Sequence, residues 1–371
     1  MSLYIHQRTD WLQFIWDSEA LLPALGHVRH LQGKLAGKMA SLGFAHKQEA
    51  FLETLTLDVL KTSEIEGAFL HPEQVRSSVA RHLGMDIAGL IPSDRDVDGV
   101  VEMMLDATRA YQKPLTFERL FDWYAALFPT GRSGMHKINT GQWRKDETGP
   151  MQVVSGAMGR GYVHFQAPDA ARLDEEMRPF IEWFNGGQGL DPVLKAGIAH
   201  LWFVTIHPFD DGNGRIARAI TDMQLSKAED NSQRFYSMSA QIRLQRKEYY
   251  DILEKTQRGT LDISEWLMWF LTCLEKALNA TEATLERVLN KARFWEKHAT
   301  TVLNERQVLL LNKLLGSFEG KLTSSKWAEI AKCSPDTALR DIHDLVNKGI
   351  LQKDTAGGRS TGYALSILGV A

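Results

Sequence analysis

The densest chemistry in the chain lies in one twelve-residue run, His207-Pro208-Phe209-Asp210-Asp211-Gly212-Asn213-Gly214-Arg215-Ile216-Ala217-Arg218. His207 carries the one side chain of the run whose unperturbed pKa is near neutrality, which suits a general base. Asp211 offers hard carboxylate oxygens of the kind that hold Mg2+ jointly with phosphates. Gly212 and Gly214 let the backbone approach an anion closely and adopt positive φ. Arg215 and Arg218, three positions apart, share a helix face and present guanidinium forks that grip phosphate oxygens. A base, a metal ligand, an anion cradle and two arginines together describe a phosphoryl-type transfer site. Singly, Asp-Gly and Asn-Gly pairs mark plain turns. Their ordered combination beside an apolar helix favours chemistry.

That run needs two helices to position it. Residues 191–206 form a nearly all-apolar pattern (Val193, Leu194, Ile198, Leu201, Trp202, Val204) that predicts a central helix. Periodicity resumes with Ile216, Ala219, Ile220 and Met223, so the glycines fall in a loop and in the first turn of a second helix. Free backbone N–H groups and the positive helix end make that place an anion site. Upstream, Phe51, Leu55 and Val59 recur every four residues and predict a helix over about 47–66, closed by Ser63-Glu64-Ile65-Glu66-Gly67.

Further elements surround these. Ser93-Asp94-Arg95-Asp96 can cap a helix carrying Val97, Val101, Met104 and Leu105, and helical patterns follow at 116–128 and 169–184. Between the latter two, Met151–Val154 and Tyr162–Phe165 read as strands joined by a glycine-rich stretch, a hairpin signal. The segment 260–293 is again helical, and Trp11, Phe14 and Trp16 near the start suggest a small packed unit. In the tail, Asn304 can cap a helix to about Leu315, Ser324 or Ser325 a second, and Ser334-Pro335 a third that closes at Gly349. Ile350-Leu351, a Gly357-Gly358-Arg359 turn and Tyr363–Leu365 complete the order of a winged helix-turn-helix.

Composition bounds these readings. The 371 residues are 24% charged and 44% hydrophobic, which excludes collagen-like, low-complexity and fully disordered chains. A formal charge of −3 excludes a wholesale polyanion binder. Residues 303–371 hold nine Lys/Arg and seven Asp/Glu, a mild net +2. Two cysteines, Cys273 and Cys333, form no disulfide framework, which fits a reducing compartment. The start lacks the basic and apolar regions of a secretory signal, and no apolar segment approaches the roughly 18 residues of a membrane span. The expectation is a soluble, cytoplasmic protein with no membrane partner.

The run 207–218 resembles the signature of the Fic (filamentation induced by cAMP) family, His-x-Phe-x-Asp/Glu-Gly-Asn-Gly-Arg-x-x-Arg, at every specified position. The resemblance covers roughly 47–295. It implies a mainly α protein, a Fic-type helical bundle with a β-hairpin flap, here followed by the small winged helix-turn-helix. The expected domains are an N-terminal helical region at 1–95, a catalytic domain at 96–295 and the tail at 303–371. The implied activity is protein adenylylation, the transfer of AMP from ATP to a Tyr, Thr or Ser hydroxyl of a protein.

Carried onto this chain, the resemblance implies that His207 deprotonates the acceptor hydroxyl and Asp211 holds Mg2+ on the phosphates. The backbone of Gly212, Asn213 and Gly214 would form the anion hole, with the Asn213 side chain on the α-phosphate. Arg215 would neutralise the β-phosphate and Arg218 the γ-phosphate. Glycine at 214, where target-phosphorylating relatives carry lysine, favours adenylylation.

Thr62-Ser63-Glu64-Ile65-Glu66-Gly67 resembles the family's inhibitory sequence, Ser/Thr-x-x-x-Glu-Gly/Asn, so Glu66 would pair with Arg218 and Thr62 would steady the helix. The hairpin 151–165 matches the flap that holds a target as an added strand. Arg246-Lys247-Glu248-Tyr249-Tyr250 resembles the helix beside the adenine pocket, with Tyr249 assigned to the nucleotide and Tyr250 the alternative stacker. His136, His164, His200 and the cysteines are read as structural. Two other activities stay open: hydrolytic removal of AMP, and a nucleotide-sensing DNA-binding regulator with 303–371 as output. Self-modification, dimerisation and the identity of the target also stay open.

Overall fold

The structure, a computed structural model, describes residues 4–366 apart from 87–88, 148, 156–160, 188, 317, 319 and 355–360. The chain divides into two units, residues 1–86 with 90–282 and residues 87–89 with 283–371. In the first unit, Asp17 caps α1 (Ser18–Ala40) by accepting from the Ala20 N–H. Next come α2 (Phe44–Ile65), α3 (Pro72–His82), α4 (Arg95–Arg109) and α5 (Phe117–Leu127). A two-residue hairpin, β1 (Arg132–Ser133) with β2 (His136–Lys137), precedes the longer pair β3 (Gln152–Ser155) and β4 (Tyr162–Gln166). That pair is antiparallel with Ser155 opposite Tyr162 and an irregularity between Val153 and Val154. Five helices follow: α6 (Leu173–Asn185), α7 (Pro192–Ile206), α8 (Asn213–Glu229), α9 (Met238–Leu244) and α10 (Arg246–Gln257). The long α11 (Ser264–Lys297) begins in the first unit, and its residues from Ala283 belong to the second.

The core is built on α7. Pro192 opens it at the position where a missing N–H costs nothing, Asp191 caps Val193, and every residue from Val193 to Ile206 is buried. A helix apolar on all sides must be surrounded. Here α8 packs along one side and α6 along another. The aromatic residues near the start form no unit of their own, which differs from the expectation. Trp11 Nε1 donates to Glu176 Oε2 of α6 at 2.8 Å, Phe14 meets the edge of Trp202, and Ile15 bridges to Asp262.

The expected helix at 47–66 is α2, and it is deeply embedded. Phe51, Leu52, Leu55, Val59, Thr62, Ser63 and Ile65 are all buried, against α3 and α9. A polar cluster holds its middle. Asp58 accepts from the Ser237 hydroxyl and from the Ser239 N–H (3.2 Å), while Asp222 of α8 pairs with Arg234 beside it. Burial, with Asp58 as a neighbour, pushes the Asp222 carboxyl well above its usual range although Arg234 opposes this.

In the second unit, Asn304 and Gln307 form a capping box at the start of α12 (Glu305–Leu315). Thr323, rather than either serine after it, caps α13 (Ser324–Ile330). Ser334 and Pro335 open α14 (Pro335–Asn347) as expected, and β5 (Leu351–Lys353) pairs antiparallel with β6 (Tyr363–Leu365). Leu310, Leu311, Trp327, Ile342, Leu345 and Ile350 form its core. The Gly357-Gly358-Arg359 turn and most of the glycine-rich tip of the β3–β4 hairpin lie outside the described residues. No helix among the described residues is long and apolar enough to cross a membrane.

Candidate active site

His207 ends α7 in the left-handed region, φ +53° and ψ +58°. For a residue with a Cβ this conformation costs on the order of 1–3 kcal/mol and needs an enforcing environment. Its N–H bonds to the Phe203 carbonyl at 3.0 Å, and its carbonyl accepts from Arg144 Nε at 2.8 Å. Its Nδ1 lies 3.2 Å from the Val204 carbonyl, which can only accept. Nδ1 therefore carries the proton, and Nε2 keeps a lone pair. Burial lowers the imidazole pKa to about 4; Arg144 also lowers it, while the Val204 carbonyl, Glu66 and Asp211 act the other way. The ring is neutral near pH 7, with its Nε2 lone pair open to accept a proton.

The loop after His207 is shaped from below. Phe209 is fully buried against Tyr124 and Trp143, with ring centroids 4.2 and 5.3 Å away. Asn213 brackets it: Oδ1 accepts from the Phe209 N–H at 3.0 Å, and Nδ2 donates to the Phe209 carbonyl at 2.8 Å. The Asn213 side chain is thus engaged in folding the loop, with one of its two Nδ2 hydrogens spent on the Phe209 carbonyl. Gly212 has φ +76°, and a Cβ there would lie 3.0 Å from the Phe128 ring. Asp211 accepts from Ser133 Oγ and, at 2.6 Å, from the Gly212 N–H.

The first helical bond of α8 runs from the Ile216 N–H to the Gly212 carbonyl at 3.0 Å. The amides of the preceding three residues have no partner inside the helix and point into the cradle. The Glu66 carboxylate is seated there. A Cβ on Gly214 would overlap Glu66 Oε1 and lie 3.2 Å from Arg218 Nη1. Arg218, 2% exposed, donates from Nη2 to Glu66 Oε1 at 2.7 Å and to the Thr62 carbonyl at 2.9 Å. Its Nε donates to Thr62 Oγ1 at 2.7 Å. Burial disfavours this charge, yet Glu66 leaves the guanidinium pKa raised overall.

Arg218 Nη1 and Arg215 Nε are buried with no hydrogen-bond partner among the described residues. Such orphaned cationic donors beside a helix start suit an anion with several oxygens. The Arg215 guanidinium lies over the Phe128 ring at 5.0 Å.

The structure separates the two tyrosines. Tyr249 is 2% exposed, its hydroxyl 2.8 Å from His200 Nε2 and its ring among Trp266 and Trp269. This corrects its assignment to the nucleotide, because no face of the ring is open. Tyr250 turns to the cradle instead, its hydroxyl 3.4 Å from Glu66 Oε2 and its ring under the Arg246 guanidinium. His200 is a core residue, lowered to about 3 chiefly by burial. His136 is exposed on β2. His164 lies 2.6 Å from both Ser155 Oγ and Glu254 Oε2, which seats β4 on α10.

Two participants were absent from the sequence reading. Ser133 reaches Asp211 across 78 positions, and Arg144 reaches His207 across 63. The only available signal was an arginine after the aromatic Trp143, which is too common to be read. Among the described residues no group of three or more His, Cys, Asp or Glu could cage a metal. A single carboxylate such as that of Asp211 is the kind of donor that holds Mg2+ only jointly with phosphate oxygens.

Known proteins resemble parts of this chain. Residues 4–85 match a domain of unknown function (DUF4172), and residues 114–225 match the Fic/DOC family. The chain is 35% identical over 237 residues to the Protein adenylyltransferase Fic of Drosophila grimshawi, spanning 63% of this chain and 43% of that one. It thus covers less than half the length of that relative. A Fic family protein from Desulfovibrio desulfuricans G20 superposes with a TM-score of 0.54 at 18% identity, over 96% of this chain and 98% of that one. A Fic domain containing signaling protein from Bacteroides thetaiotaomicron VPI-5482 gives 0.52 at 19%, over 70% and 97%. Both structural likenesses speak for the fold alone. The His207–Arg218 loop lies inside the segment that matches the Fic/DOC family, so the chain carries a Fic domain over residues 114–225.

Proposed function

We propose that this chain is a Mg2+-dependent protein adenylyltransferase held inactive by Glu66. The observation that carries the proposal is the Glu66 carboxylate on the first turn of α8, beside Gly214 and bonded to Arg218. A carboxylate occupies the place where an anionic substrate belongs. With Glu66 withdrawn, the amides of Asn213, Gly214 and Arg215 and the donors of Arg215 and Arg218 receive the ATP phosphates. Asp211 would hold Mg2+, which supplies charge neutralisation on the phosphate oxygens.

His207 Nε2 takes the proton from a protein hydroxyl, whose oxygen forms a bond to the α-phosphorus as the bond to the bridging oxygen breaks. Pyrophosphate leaves with the electron pair, and AMP stays on the acceptor. The exposed side chains of Val154 and Tyr162 on the β3–β4 hairpin, which packs on α10, support a flap that lays the acceptor segment along β3. The test is the intact mass of Glu66→Gly protein after ATP and Mg2+ treatment. Addition of AMP to the chain or to a protein in a lysate supports the reading, and its absence from both overturns it.

For the second unit we propose a winged helix-turn-helix, supported by its three helices followed by a hairpin. DNA binding is one reading of that unit. Asp341 is tied to Arg306 and Asn304, and Asp344 to Lys348 and Gln307, so these acids and bases neutralise one another. Salt-dependent binding of the full chain to duplex DNA tests this, and failure to bind at low salt rejects it.

A further inference from the structure

Arg144 is an arginine whose side chain is fully shielded from solvent, and it touches two elements that have to meet during transfer. Its Nε donates to the His207 carbonyl at 2.8 Å, and its backbone N–H donates to the Pro208 carbonyl at 2.9 Å. On the other side, Nη2 donates to the Pro168 carbonyl at 2.5 Å. Pro168 lies two residues past the end of β4, and the Ala167 N–H closes the base of the hairpin on the Met151 carbonyl at 3.0 Å. Nη1 pairs with Asp146 Oδ1 at 2.5 Å, and the second Asp146 oxygen accepts from the Ala170 N–H at 2.7 Å.

We propose that Arg144 is a positioning residue that fixes the His207 imidazole relative to the flap, so that a hydroxyl presented along the hairpin meets Nε2. The inference rests on the transferase reading above. A guanidinium suits this task because it is planar and sends donors in three fixed directions, whereas an ammonium is a single point. The left-handed backbone of His207 is held from outside α7 by this side chain. The phosphate cradle is fixed separately, by Asn213 on Phe209 and by the first turn of α8. Loss of Arg144 therefore disturbs the base and spares the nucleotide. The positive charge also opposes protonation of His207, against Glu66 and Asp211, which favour it.

The experiment uses the full chain carrying Glu66→Gly, alone and with Arg144→Lys, Arg144→Gln or Arg144→Ala. Nucleotide affinity is measured by calorimetry, and AMP incorporation is followed in a single turnover at saturating ATP. The expected result is a rate about 100-fold lower in each Arg144 variant, with the ATP Kd within about threefold of the parent. Methylguanidinium should restore part of the rate to Arg144→Ala without changing the Kd. In ring-labelled protein, the His207 carbon resonance should titrate at a higher pH in Arg144→Gln than in the parent. A parallel loss of rate and ATP affinity, or an unchanged rate, overturns the proposal. If the Glu66→Gly parent transfers no AMP, the transferase reading fails on its own. The His207 titration still decides whether Arg144 governs the imidazole, and an unmoved resonance then rejects it.

Discussion

Arg218 and Glu66 are 152 positions apart in the chain and 2.7 Å apart in the site. The pair is asymmetric: the guanidinium is 2% exposed, while the carboxylate side chain is 28% exposed. The arginine is a fixed part of the interior, and the glutamate is the removable partner.

Glu66→Gly should therefore raise AMP incorporation from labelled ATP by at least about tenfold, since it frees the cradle for most molecules rather than a few. Adding His207→Ala to that variant should return incorporation to background, because the proton of the acceptor then has no base. Equal labelling of wild type and Glu66→Gly would show that Glu66 does not govern access. Lower labelling together with faster loss of AMP from a labelled protein would instead point to the reverse reaction.

Thr62→Val removes the hydroxyl that accepts from Arg218 Nε and keeps the shape of the side chain. One buried charged donor then loses its partner, at a cost of about 1–3 kcal/mol. Denaturant unfolding should show that loss, and labelling should rise part of the way toward the Glu66→Gly level. An unchanged midpoint would mean that Thr62 only fills space.

Gly214→Ala places a methyl group where the Glu66 carboxylate sits. The carboxylate is the end of a flexible chain and can swing aside, so the expected cost is the loss of the Arg218 pairing rather than a strained backbone. A double-mutant cycle with Glu66→Gln should give a coupling of about 1 kcal/mol or more between the two sites. Additive effects would place Glu66 elsewhere in solution.

His200 is lowered from 6.5 to about 3. A group with a depressed folded pKa contributes its stability above pH 6.5 and loses it as the pH falls toward 3. At pH 5 linkage gives a loss of about 2 kcal/mol from this residue. Thermal unfolding should therefore move to lower temperature between pH 7 and pH 5, with a shallower slope in His200→Gln. A flat profile in the wild type would contradict the burial of a neutral ring.

Legibility followed locality. The run 207–218 could be read because its base, glycines and arginines act within twelve consecutive positions, and the α7 and α8 patterns framed it. The winding of α2 was likewise visible in Phe51, Leu55 and Val59. Adjacent residues on a helix point about 100° apart, so periodicity without a partner surface left Tyr249 and Tyr250 interchangeable. Packing against Trp266 and Trp269 decided between them. Ser133 and Arg144 act through one contact each to a distant loop, and such contacts have no spacing to betray them. The bracing of the loop by the Asn213 side chain was hidden for a related reason: its partner is the backbone of Phe209, which no pattern of residue types reveals.

Asp58 ties the middle of α2 to Ser237 and Ser239, while Leu52, Leu55 and Val59 are sealed in the interior. Detaching the whole helix would unmake a substantial part of the first unit. Under the proposed reading, whatever signal switches this enzyme on has to fray a single terminal turn, from Thr62 to Glu66, leaving the rest of the rod clamped. Control of that kind is quick to reverse, since re-forming one turn restores the block without refolding anything larger.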